Sequence, residues 1–179
     1  MRFSQYHCAL FLAAWLAPVG SLVAQSGTHA SGGGTYSPVP GVLSEFQFNE
    51  AHVQCKIAHA VMPDGTVLQM FMDSTSITSV TIDSATKSAV IKGSMTSLVR
   101  LRPPAGSTIT LNETVPFVVS AQDNGTPGAG SDFFGLTVTY NPTAPGPGGL
   151  NQYKFFGATP AKPNTTFSGV LLSGDVVVH

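Results

Sequence analysis

The chain has 179 residues, a formal net charge of −1 and only 9% charged residues, against about 25% in an ordinary soluble domain. Its polarity comes instead from 18 serines and 18 threonines. This composition excludes a highly charged disordered chain, a basic nucleic-acid binder, and a helical protein rich in Ala, Leu, Glu and Lys.

Residues 1–24 read as a secretory signal peptide. Arg2 gives a positive start, Ala9–Val23 is apolar, and small residues follow at Ala24 and Ser26. The apolar run is short of the roughly 20 residues a spanning helix needs. Cleavage would leave about 155 residues, one domain with one core and no transmembrane anchor. The product is expected outside the cytoplasm, secreted or periplasmic. Cys8 and Trp15 leave with the signal, so Cys55 stands alone and cannot form an internal disulfide. Set in the alternation of Val53 and Ile57, it reads as a small buried hydrophobe.

Residues 25–41 are rich in Gly, Ser and Pro and read as a flexible leader. Residues 42–179 form the folded domain. Phe46 and Phe48 alternate with Glu45 and Gln47. His52–Met62 stops at the turn triplet Pro63-Asp64-Gly65, and Thr66–Asp73 resumes. Ile77–Ile82 alternates with Thr and Ser, and Ala89–Arg102 follows after a polar turn. Val115, Phe117, Val119 and Ala121 share one face, as do Phe134, Leu136, Val138 and Tyr140. Gln152–Phe156, Phe167–Leu172 and Asp175–Val178 complete the set. Period-two alternation predicts half-buried antiparallel strands, and no segment carries a helical stripe. The fold expected is all-β: one antiparallel domain of about 8–10 strands. A small closed or partly open barrel leads, with a β-sandwich as the alternative. With so little Lys and Glu, edge strands lack their usual charged protection. Edges should therefore be closed in a barrel, covered by the Pro/Gly-rich loops, or paired with another chain.

Four stretches carry a resemblance: FQFN at Phe46–Asn49, DSTSITSV at Asp73–Val80, VVSAQDNGTPGAGSDFF at Val118–Phe134, and the ending LLSGDVVVH. Their order and spacing resemble a domain of secreted bacterial proteins described by its position after choice-of-anchor segments, the post-COAP type. The resemblance runs from Ser44 to His179. The Asp123–Asp132 loop is its most specific element, with Ser131 as an added residue, and Asn141–Gly149 is a longer insertion. The resemblance implies secretion and an all-β fold. It implies no activity and no catalytic residues.

The loop from Asp123 to Asp132 (DNGTPGAGSD) is the leading candidate site. Asp123, Asn124 and Asp132 could offer hard oxygen ligands to calcium, with Asp73 as a possible third carboxylate. The spacing departs from the EF-hand pattern. The same residues also make a good hairpin loop, with Asn124-Gly125 supplying positive φ and Asp123 capping backbone N–H groups. Other chemistry is thin. His52, Cys55 and His59 fall on opposing faces or too far apart for zinc. No G-x-S-x-G elbow occurs; Gly93-Ser94-Met95 lacks the second glycine. Glu113, beside a strand start, reads as a solvated edge charge. Arg100 and Arg102 share a strand face, a small anion-binding option.

The leading functional expectation is a secreted non-enzymatic β domain, a structural or binding module without a catalytic site or cofactor. Its partner would be a surface polymer, a small apolar ligand in a barrel mouth, or a protein docking on an edge strand. The alternatives are an extracellular hydrolase with a nonstandard site and a calcium-stabilised adhesion module.

Overall fold

The computed structural model describes residues 28–125 and 130–179. Eight strands close into one antiparallel barrel in chain order. They are β1 (Ala30–Val39), β2 (Val42–Phe48), β3 (Val53–Val61), β4 (Val67–Asp83), β5 (Ser88–Arg102), β6 (Ile109–Gln122), β7 (Phe133–Thr139) and β8 (Asn164–Val178). Closure comes from β1 pairing with β8, Ala30 opposite Val178 through Tyr36 opposite Leu171. The expected all-β domain is therefore a barrel. The turns β2–β3, β4–β5 and β6–β7 lie at the upper rim, with the start of β1 and the chain end. The turns β1–β2, β3–β4, β5–β6 and β7–β8 lie at the lower rim.

Alternation does what it predicts. Along β6, Leu111, Glu113, Val115, Phe117, Val119 and Ala121 are buried while their neighbours face outward. Period two puts successive side chains on opposite faces, so each strand presents one row to the lumen. That lumen is filled. Phe46 of β2 stacks on Phe134 of β7 with ring centroids 4.1 Å apart, and Tyr36 and Phe48 join at 5.5 and 6.0 Å from Phe134. Each such ring stabilises the fold by about 1.5–3 kcal/mol through its burial.

The leader expected over 25–41 is corrected in part, because residues 30–39 form β1. Its glycines hid the strand: a strand is normally read from its side chains, and these positions have none. They are small because neighbours press close. A Cβ on Gly32 would stand 2.6 Å from the Phe48 ring and 2.9 Å from the Asp175 carbonyl oxygen. The signal segment over residues 1–24 lies outside the described residues. Among the described residues no helix is long and apolar enough to cross a membrane.

Two expected strand pairs are single elements. Thr66–Asp73 and Ile77–Ile82 merge into the 17-residue β4. Phe167–Leu172 and Asp175–Val178 merge into β8, which turns through Gly174 at φ +96. The strand expected over Gln152–Phe156 is instead a four-residue helix, α1 (Gln152–Phe155). Asn151 caps it by accepting the Lys154 N–H at 3.0 Å. This segment seals the lower end, where Tyr140 stacks on Phe156 with centroids 5.1 Å apart.

Candidate functional site

At the upper rim, the carboxylates of the Asp123–Asp132 loop are engaged with the loop's backbone, with β8 and with Lys87. Asp132 is fully buried. Its Oδ1 accepts the Asn124 N–H at 3.0 Å and its Oδ2 accepts the Val176 N–H at 2.9 Å. Asp123 Oδ1 accepts the Gly125 N–H at 3.0 Å, and its Oδ2 faces the Lys87 ammonium at 3.8 Å. The Asn124 amide donates to the Ser131 carbonyl at 2.7 Å. Asp123 and Asp132 thus cap backbone N–H groups at both described ends of the loop and in β8. Among the described residues no group of three or more His, Cys, Asp or Glu is placed to hold a metal ion.

Asp73, considered as a third carboxylate, instead pairs with His52, Nε2 to Oδ1 at 2.6 Å. The acid that does approach the loop is Asp175 of β8. Its carboxyl is pushed above the usual range by desolvation, then by the hydrogen bond and charge of Asp132 and the charge of Asp123. No local signal in the sequence points to it. Asp175 comes near because β8 pairs with β7 at one edge of this loop.

A second histidine–carboxylate pair sits on the same rim: His29 Nδ1 meets Glu50 Oε1 at 2.6 Å. Burial pushes Glu50 up, but the Ala30 N–H and His29 more than offset this and hold it low. Both pairs are half-exposed. Ser74 Oγ, next to the His52–Asp73 pair, is occupied in accepting the Val53 N–H at 2.9 Å.

Glu113 corrects the sequence reading. It is 8% exposed, inside the barrel near the lower end. Its Oε1 accepts the Gln152 N–H at 2.7 Å. Desolvation pushes its carboxyl up, with the Gln152 N–H opposing. Gln152 in turn takes the Ser97 hydroxyl at 2.6 Å and donates to the Ser97 and Leu111 carbonyls. Glu113 Oε2 and the hydroxyls of Tyr140 and Tyr153 are buried without a hydrogen-bond partner. Strand parity carried the signal, since position 113 shares its face with Leu111, Val115 and Phe117.

Cys55 is fully buried, as expected. Its sulfur lies 3.3 Å from the Ser44 hydroxyl and 3.5 Å from that of Tyr36. Desolvation pushes the thiol up, which suppresses the reactive thiolate.

An open cleft lies on the outer wall, where β3, β4 and β5 run side by side. Its volume is about 210 Å³. A β-bulge in β3 creates it: the register slips between Ile57 and Ala60, and the Gln69 amide reaches the Ala58 carbonyl at 3.1 Å. The wall parts there, and the inward residues Ile57 and Met70 form a floor. Ala58, Phe71 and Leu98 supply apolar sides, with Arg100 and Lys56 at the margin. Lys56 shares its charge with Glu45 at 3.5 Å. Of the two arginines flagged in the sequence, Arg100 lines this cleft.

Comparison with family models, curated proteins and solved structures finds no match to this chain.

Proposed function

We propose that the protein is a secreted, non-catalytic β-barrel module that binds on its outer wall. The observation that carries this reading is the Phe46–Phe134 stack across the lumen. Rings packed this closely occupy the middle of the lumen, which favours a ligand on the wall over one carried inside the barrel. The cleft between β3 and β5 is the surface best suited to the task. Its apolar floor and Arg100 margin match a small amphiphile with an acidic head and an aromatic or branched apolar body. The signal-like residues 1–24 and the resemblance to the post-COAP type support export. That resemblance adds no ligand.

Two measurements test the proposal. Expressed in an exporting host, the chain should appear outside the cytoplasm with its N-terminus near residue 25; an intact Met1 on cytoplasmic protein would overturn secretion. Titration with 1-anilinonaphthalene-8-sulfonate, an aromatic sulfonate, should saturate at one site per chain. Arg100→Glu should weaken it at least tenfold, about 1.4 kcal/mol. Binding that never saturates, or that ignores Arg100→Glu, would overturn the cleft as the ligand site.

A further inference from the structure

Closing a barrel removes edges, yet among the described residues several stretches of strand have a paired neighbour on one side only, the lower half of β6 and the upper part of β4 among them. β6 pairs with β5 along nearly all its length but with β7 only from Phe117 upward. Its lower half is covered by the β7–β8 connection, where Gln152 bonds the Leu111 carbonyl and Glu113 takes the Gln152 N–H. β4 pairs with β3 only over Val67–Asp73. Above that, Ser74–Asp83 pairs with β5 alone, and no other strand among the described residues adjoins it.

The upper β4 edge carries little protection. From Ser74 to Ile82 it has no charged residue and no proline, two of the devices that blunt an exposed edge. Two bulges interrupt it, at Ser74/Ser76 and Ile77/Ser79. Thr75 and Thr78 repair them by donating to the Ser94 and Lys92 carbonyls at 3.1 and 3.2 Å. Above the bulges, Ser79–Asp83 runs in regular register with Lys92–Ser88. Val80 and Ile82 lie opposite the buried Ile91 and Ala89 and so share the inward face, where Val80 is 37% exposed. On the side away from β5, the backbone donors and acceptors have no paired strand among the described residues; Ile82 packs against the core, and Val80 is left partly uncovered.

We propose that a second copy of this chain occupies this edge, the two β4 strands pairing antiparallel about a two-fold axis at Thr81. A strand edge paired with itself in this way is closed and self-complementary. Opposed residues must point to the same face, which makes Thr81 oppose Thr81, Val80 oppose Ile82 and Ser79 oppose Asp83. The exposed Val80 of each copy is then covered by Ile82 of the other. On the outer face, Lys92 of β5 stands in one row with Ser79 and with Asp83 of the second copy. That is two strand spacings, roughly 9.6 Å between backbones, within reach of a lysine side chain. Asp83 is already fixed by the Ala85 and Thr86 N–H groups at 2.9 and 3.2 Å. The register therefore matches charge as well as apolar surface, which selects a second copy over a foreign strand. The proposal is independent of the cleft, which lies lower on the barrel wall.

Light scattering coupled to size exclusion on the full chain tests it. A dimer is expected at tens of micromolar. Thr81→Lys sets two lysines against each other on the axis and should weaken the dimer at least tenfold, with an unchanged thermal midpoint showing that the barrel is intact. Thr81→Cys should cross-link on mild oxidation, because directly opposed residues sit about 4.5–5.5 Å apart at Cα, within disulfide range. Ser79→Cys, opposed to Asp83, should not; both variants are made with Cys8→Ser, and the buried Cys55 does not compete. A wild-type monomer at 100 µM would overturn the proposal. So would a dimer indifferent to Thr81→Lys, or Ser79→Cys cross-linking as readily as Thr81→Cys.

Discussion

The Oε1 of Glu113 accepts the backbone N–H of Gln152 at 2.7 Å, joining positions 39 residues apart. This bond ties the β7–β8 connection to the lower end of the barrel and covers the part of β6 that β7 does not reach. It also places a carboxyl where solvation is poor.

Glu113 should therefore make stability depend on pH. Its folded-state affinity for a proton is raised by desolvation. The stabilisation is full below the ordinary carboxyl value of 4.5 and is lost as pH rises through the higher folded value. Glu113→Gln keeps an acceptor for the Gln152 N–H and removes the charge. The variant should gain thermal stability over wild type at pH 7, and the gap should close by about pH 4. Glu113→Ala strands the Gln152 N–H and should cost about 1–3 kcal/mol at either pH. Thermal melts at several pH values check both.

Gly93→Ala should be among the most damaging small substitutions. Gly93 lies opposite Ile77, between the two bulges of β4. A Cβ there would overlap the Ser76 carbonyl oxygen and press on the Phe117 ring at 3.0 Å. Backbone cannot yield as a flexible side chain can. The expected loss is about 2–3 kcal/mol in chemical denaturation. A loss under about 0.5 kcal/mol would show that the bulge relaxes freely.

Asp175 should titrate against stability in the same direction as Glu113, with neighbouring acids adding to the desolvation. Desolvation and the neighbouring Asp132 and Asp123 all oppose its charge. The fold favours the protonated form, so stabilisation is present below about 3.8 and lost as pH rises past the raised folded value. Asp175→Asn should raise the melting temperature at pH 7 and leave it unchanged at pH 3. A lower melting temperature at pH 7 would mean that the carboxylate itself has a partner worth keeping.

Calcium is the sharpest test of the Asp123–Asp132 loop. Both Asp132 oxygens accept backbone N–H groups, and Asp123 holds Gly125 and faces Lys87. Both carboxylates are therefore already engaged without an ion. Millimolar calcium, or chelator, is expected to move the melting temperature by less than a degree. A rise of several degrees that Asp123→Asn abolishes would establish a calcium site instead.

The strands were legible wherever bulky residues alternate, as in Val115–Ala121 and Phe134–Val138. The turn chemistry of Asp123 and Asn124 was legible too, because those bonds are local. β1 was not, since Gly32–Gly34 carries no side-chain pattern. Nor was α1, whose cap at Asn151 serves a segment of only four residues. Glu113 was misjudged although parity placed it inward: a charge is ordinarily read as solvated, and its partner Gln152 is remote in sequence. Asp175 was missed because only strand pairing brings it to Asp132.

The sequence by itself determined the period of two, the sparse charge and the hydroxyl-rich exterior, and with them an all-β chain short of charged edge protection. These are properties of single strands, written in neighbouring residues. The tertiary structure decided that β1 meets β8, that Gln152 covers the lower gap and donates to Glu113, and that β4 outgrows β3 and leaves Ser74–Asp83 paired on one side only among the described residues. Period two fixes which face a residue takes but not which strand lies beside it. Register and strand length across the barrel set that, and both depend on contacts between residues far apart in the chain.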